Sequence, residues 1–210
     1  MQTRKMISAL VAIVAVALLS TAAQAATKFT LYGTGGSKTS HSFTKDGLTL
    51  TATATANGNS AKVYQSVFGL GVNSHFLDNP QVDGLIKKET LWLTFDNTVS
   101  LAKLKFAFTD FIGKSNKVRL LDGQGDLIGD MTLSTNNQIL GFKTLDLLGY
   151  DLKGEKFGLT VTDYDDSFKL KTLEAAVVPV PAAAPVGLAM MAGFAAIRRI
   201  RRRKQEAQMA

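Results

Sequence analysis

The 210-residue sequence contains no cysteine, four prolines, two histidines and one tryptophan. Without thiols, disulfides, thiol catalysis and thiolate metal sites are excluded, so an exported fold has to stand on its core alone. His41 and His75 lie far apart in the chain with no cysteine to join them, which matches none of the usual zinc spacings. Ser74 precedes His75 directly, but adjacency assigns no nucleophile–base geometry, and no catalytic, cofactor-binding or metal-binding set is expected. Sustained helical periodicity is also missing between the two ends of the chain.

Positive charge is plentiful, with a formal net charge of +7, but it is concentrated at the ends. Arg4 and Lys5 precede the first apolar run, and Arg198, Arg199, Arg201, Arg202, Arg203 and Lys204 follow the last one. Removing these and Glu206 leaves residues 26–197 with 16 basic and 16 acidic side chains. A neutral body has no nucleic-acid signature, so nucleic acid is not an expected partner, and the flanking cations read as topological signals retained on the cytoplasmic side of a bilayer.

Residues 1–25 have the three parts of a secretory signal peptide: the basic Arg4-Lys5, the apolar Ile7–Leu19, and the small-residue cleavage site Ala23-Gln24-Ala25, read by signal peptidase. An uncleaved anchor is the second reading, although the apolar run is short for a span of about 20 residues.

At the other end stand Val178, Pro179, Val180, Pro181, Ala182 and Ala183, then an uncharged Ala-, Gly- and Met-rich run to Ile197, then the basic block Arg198–Lys204. The prolines keep the approach extended, the backbone form that a protease or transpeptidase accepts. As a helix, Ala182–Ile197 covers roughly 24 Å against about 30 Å of hydrocarbon, which suits a segment that is recognised and removed. This order resembles the PEP-CTERM sorting signal in its Val-Pro-x-Pro-Ala variant, matched by Val178, Pro179, Pro181 and Ala182. Two departures are Val180, where a glutamate stands in the main class, and the tail after Lys204. The resemblance implies cleavage near the motif by a membrane-embedded exosortase, transient residence in the inner membrane, and delivery to the cell surface or matrix alongside exopolysaccharide. An ordinary single-pass anchor is the alternative.

The body, residues 26–176, alternates apolar or β-branched residues with polar ones between Gly, Asn and Asp, which is strand grammar. Leu48–Ala54 puts threonines on one face and Leu and Ala on the other; Glu89–Phe95 alternates similarly. Further strands are expected at 28–32, 61–68, 99–108, 117–121, 127–133, 157–162 and 167–174. The expected fold is all-β, a jelly-roll-like β-sandwich between the signal peptide and a transmembrane sorting helix within residues 177–204, with 205–210 a short polar tail. Asp122-Gly123-Gln124-Gly125-Asp126 reads as a hairpin turn in which the glycines supply positive φ. Gly69–Val72, Gln81–Asp83, Glu89–Phe95 and Val99–Leu101 resemble a run in the exported domains of some PEP-CTERM proteins. Within that run Asp83 and Glu89 have two readings, a structural calcium or strand-end caps, and two acids fall short of the six or more oxygens Ca²⁺ takes.

The acidic groups Asp122/Asp126/Asp130 and Asp163/Asp165/Asp166 invite comparison with a glycosidase carboxylate pair. The first fails the calcium-loop template at Leu127 and Leu133, and the second reads as a polar loop. Gly33–Thr39 fails the phosphate-loop pattern, because Ser37 stands where glycine should precede the lysine, and reads as a flexible glycine-rich loop. Trp92 shares its face with threonines, so packing under a neighbouring strand competes with a sugar-stacking role. The signal peptide and the resemblance at the C-terminus together imply a non-enzymatic surface or matrix protein that binds or spaces exopolysaccharide. A secreted carbohydrate-active enzyme and a permanently anchored protein are the other readings.

Overall fold

The computed structural model describes residues 25–75, 80–84, 87–108, 115–134 and 141–179. They form thirteen strands: β1 (Thr27–Thr30), β2 (Gly36–Lys38), β3 (His41–Lys45), β4 (Leu48–Ala56), β5 (Asn59–Ser66), β6 (Gly69–Asn73), β7 (Val82–Asp83), β8 (Glu89–Phe108), β9 (Ser115–Leu121), β10 (Leu127–Ser134), β11 (Gly141–Asp146), β12 (Lys153–Val161) and β13 (Ser167–Val177). One turn of 3₁₀ helix, Leu148–Tyr150, is the single helical element among the described residues.

The all-β expectation holds, and period-two alternation is its cause. In β4, Leu48, Leu50, Ala52, Ala54 and Ala56 are buried, while the intervening threonines are half-buried on the opposite face. β8 repeats this with Leu91, Leu93 and Phe95 inward. Each fully buried Leu or Phe contributes about 1.5–3 kcal/mol of transfer free energy, so these faces fix the strand registers.

β8 organises the domain. Its first half pairs with β4 on one side and β12 on the other; its second half pairs with β13 and β11. Two separate strands were expected here, because Asp96, Asn97 and Thr98 interrupt the apolar pattern. The strand instead runs through them, all three exposed, since neighbours occupy their polar groups. Asp96 Oδ1 accepts the Thr49 N–H at 3.0 Å and Asn97 Nδ2–H at 3.1 Å; the Thr98 hydroxyl donates to Glu155, and the Thr98 carbonyl accepts the Val178 N–H at 2.9 Å. The Thr49 amide is the main reason the Asp96 carboxyl lies below its ordinary value.

Hydrogen-bonded neighbours run β8–β4–β5–β6–β13 and return from β13 to β8, so five strands close on themselves and share few free edges. β12, β9 and β10 extend this ring from the first half of β8. One core fills the interior. Its aromatic members meet edge-on, with Phe95 between Phe29 and Phe157 at centroid distances of 6.2 and 6.4 Å, and Phe106 against Phe168 at 5.3 Å.

Five strands lie where none was expected: β2, β3, β6, β7 and β11. The Gly33–Thr39 segment is accordingly no simple loop, since Gly36–Lys38 pairs with β5 and the Gly33 N–H donates to Ser66 O. β11 shows mostly exposed side chains, so it carries no alternation to betray it.

Candidate functional site

An open groove of about 580 Å³ lies between the β9–β10 turn and the start of β12. Asp122 builds the turn: its Oδ1 accepts the backbone N–H groups of Gln124, Gly125 and Asp126, each at 2.9 Å. Gly125 has φ +96°, a conformation side chains resist, whereas Gly123 does not have positive φ, so one glycine of the two performs the expected role. Asp122→Ala should destabilise the protein by about 1–2 kcal/mol through loss of these acceptors, read as a lowered denaturation midpoint.

The opposite wall is Lys153–Phe157 with Thr98 at its end. Strand β12 begins four residues earlier than the sequence pattern indicates, because Lys153, Glu155 and Lys156 are exposed and carry no inward apolar signal. β12 also passes β8 with a register shift between Gly154 and Lys156, which turns Glu155 toward the Thr98 hydroxyl. Lys153 pairs with Asp151 at 2.8 Å.

Trp92 stands beside this groove, half-buried. Its indole N–H donates to the Thr55 hydroxyl at 3.0 Å, Lys156 Nζ sits 4.3 Å above the ring, and a Cβ on Gly158 would come within 2.8 Å of it. The tryptophan therefore lies flat across β12 and under a lysine, packed as expected, and its indole reaches the turn near Gly125. The Thr98 hydroxyl, the Glu155 carboxylate and the Lys153 and Lys156 side chains line the groove, and Trp92 lies beside it.

Four of the acids singled out in the sequence, Asp122, Asp130, Asp163 and Asp166, make hydrogen bonds of their own within the fold. Asp122 caps its turn, and Asp130 makes two bonds to Arg119, at 2.8 and 3.2 Å. The Arg119 guanidinium holds the Asp130 carboxyl below its ordinary value, so this pair supports the fold above about pH 4 and loses its contribution as pH falls through the depressed value. Asp130 is nearly half-exposed, so the effect is under about 1 kcal/mol, and Asp130→Asn should flatten that part of the acid unfolding profile. Asp163 accepts from Lys117 at 3.2 Å, while the buried Asp166 accepts the Asp163 N–H and is pushed up by desolvation. These residues lie in the polar turn between β12 and β13, as the sequence indicates.

Asp83 and Glu89 are brought together, both buried, with Glu89 Oε2 accepting the Asp83 N–H at 3.2 Å. The Glu89 carboxylate at the start of β8 thus caps an N–H of β7. The neighbouring glycines allow close packing: a Cβ on Gly69 would fall 2.4 Å from Leu170 O, and one on Gly71 2.4 Å from Pro80 O. Gly69–Val72 and Gln81–Asp83 thus lie at a tightly packed end of the domain where β6, β7 and β13 meet, whereas Glu89–Phe95 and Val99–Leu101 run along β8. His41 is buried in β3 and hydrogen-bonded to Gly36 O at 3.1 Å, a structural position.

Of the residues expected to direct processing, Ala25 is exposed two positions before β1, Val178 closes the last backbone bond to Thr98, and Pro179 is exposed. Ala23, Val180, Pro181, Ala182, Ala183, Arg198, Arg199, Arg201, Arg202, Arg203 and Lys204, with most of the segment expected to form a sorting helix, lie outside the described residues.

No protein-family model and no curated protein matches the chain. Among solved structures it is similar to discoidin II from Dictyostelium discoideum, at 13% identity over 77% of this chain with a TM-score of 0.32, and it spans 57% of that chain's length. It is also similar to a CBM4 structure, at 13% identity over 73% of this chain and 85% of the other with a TM-score of 0.29. Bacteriophage CBA120 tailspike protein 4 follows, at 12% identity over 63% and 20% of the two chains and a TM-score of 0.28. Likenesses this slight assign neither family nor ligand.

Proposed function

We propose that this chain is an exported, non-enzymatic protein of the cell surface or extracellular matrix that associates with exopolysaccharide, after signal peptidase and an exosortase-type enzyme have trimmed its ends. The observation that carries the proposal is the C-terminal order of Val178-Pro179-Val180-Pro181-Ala182-Ala183, a marginal apolar span and the block Arg198–Lys204. The charge placement gives the orientation, body outside and basic block inside, and the sorting reading makes the stay in the inner membrane transient.

Features of the body support the same reading. Its strands begin at Thr27 and end at Val177, so trimming at Ala25 and at the motif leaves every described strand intact. β1 and β13 are antiparallel neighbours, with Thr27 opposite Ala175, so the two ends of the body emerge side by side, clear of the core. A β-sandwich of jelly-roll-like outline, its layers joined through β8, is part of this proposal, as is a polysaccharide role for the groove beside Trp92.

The test is to replace Pro179 and Pro181 with alanine in the native host. Full-length chain should accumulate in the membrane fraction while released body disappears; unchanged release would overturn exosortase-type sorting at this motif.

A further inference from the structure

The outer face of the sheet made by β11, the second half of β8, β13 and β1 carries two rows of different chemistry. In one, Glu174 lies between Lys28 and Lys103, at 3.7 Å from each. In the other, cations meet aromatic rings in place of acids. Lys171 Nζ is 4.2 Å from the centre of the Phe142 ring and 5.0 Å from that of Tyr32, and Lys105 Nζ is 5.4 Å from Phe142. Phe142 and Tyr32 are 46% and 45% exposed, large values for aromatic rings on a sheet face. Next along β13, Lys169 is 5% exposed, 5.2 Å from the Tyr64 ring, with the Ser66 hydroxyl at 3.4 Å. None of Lys105, Lys169 and Lys171 has a carboxylate partner among the described residues.

This row is built by a local irregularity. Lys171 is the extra residue of a bulge in β13, between Leu170 opposite Phe106 and Thr172 opposite Lys105. Bulges re-aim a side chain, and here the bulged lysine lies over two rings, Phe142 of β11 and Tyr32 just after β1. Gathering like charges around one ring, and burying a third ammonium without a carboxylate, weakens the isolated fold. A ligand that supplies anions and flat apolar faces would complete both halves of the arrangement.

We propose that Lys105, Lys171, Phe142 and Tyr32 form a binding face for an acidic polysaccharide, its carboxylates on the ammonium groups and its sugar faces on the rings; this rests on the polysaccharide reading above. Charge density favours that polymer over nucleic acid. Duplex DNA presents one charge per about 1.7 Å, more than this short row of lysines matches, and Glu174 and Asp146 beside it would repel a dense phosphate backbone. A chain with one carboxylate every sugar or two fits a few separated lysines.

The test uses the full chain in mild detergent, with polygalacturonate, neutral dextran and a single-stranded oligonucleotide as probes. Wild type should bind polygalacturonate in a salt-sensitive manner, and Lys105→Gln/Lys171→Gln should bind it at least tenfold more weakly with an unchanged melting temperature. Lys103→Gln, which removes a lysine already paired with Glu174, should stay within twofold of wild type. A double variant that binds as wild type does, or an oligonucleotide that competes as well as polygalacturonate at equal charge, overturns the inference. Binding to dextran alone overturns it while leaving the polysaccharide reading in place; binding to neither polymer counts against both.

Discussion

Gly71→Ala is expected to cost about 3–5 kcal/mol, a large share of the stability of a domain this size. The new methyl would stand 2.4 Å from Pro80 O and 2.8 Å from Gln81 Cα, and both are backbone atoms with no rotamer to give way. Moving them breaks the Val72 N–H to Gln81 O bond and then shifts β7, which holds Ser167 and Phe168 of β13 in register. Gly129→Ala is the control: no atom lies within 4 Å of its Cβ position, so its urea midpoint should change little. Equal midpoints for the two variants would contradict the packing described for the β6–β7–β13 end.

Phe106→Ala should be comparably severe, at about 3–5 kcal/mol. Phe106 is fully buried on the second half of β8, edge-on to Phe168, at a register position opposite Leu170 of β13. Its removal opens a cavity beside the β8–β13 pairing that closes the ring of strands, where main-chain bonds on both sides resist collapse. Phe142→Ala, on β11 at the edge of the same sheet and exposed, should alter stability by less than about 0.5 kcal/mol. Chemical denaturation of the pair separates core packing from surface chemistry on one sheet.

Where one face of a strand is buried and the other is not, the sequence reveals the strand. Leu48–Ala54 is read correctly for this reason, and Asp122–Asp126 is found because turn chemistry is local. β8 is misread as two strands because Asp96–Thr98 look like a break, and the partners that hold them extended, Thr49, Glu155 and Val178, come from three distant segments. β11 and the first residues of β12 escape because their side chains face solvent. The candidate groove is therefore half legible: Asp122 is, whereas Lys153–Lys156 are not. The lysine–aromatic row is not legible at all, since Tyr32, Lys105, Phe142 and Lys171 come together only through strand pairing and a bulge whose extra residue no local pattern marks.

The central claim is that a signal peptide and a sorting tail deliver this β domain to the surface and are removed from it. The most direct measurement is the intact mass of the protein recovered from the surface and medium of its native host, with the terminal peptides sequenced. The account predicts a product that starts near Ala26 and ends between Val178 and Ala183; a product that retains Arg198–Lys204 and runs to Ala210 would contradict it and make the tail a permanent anchor.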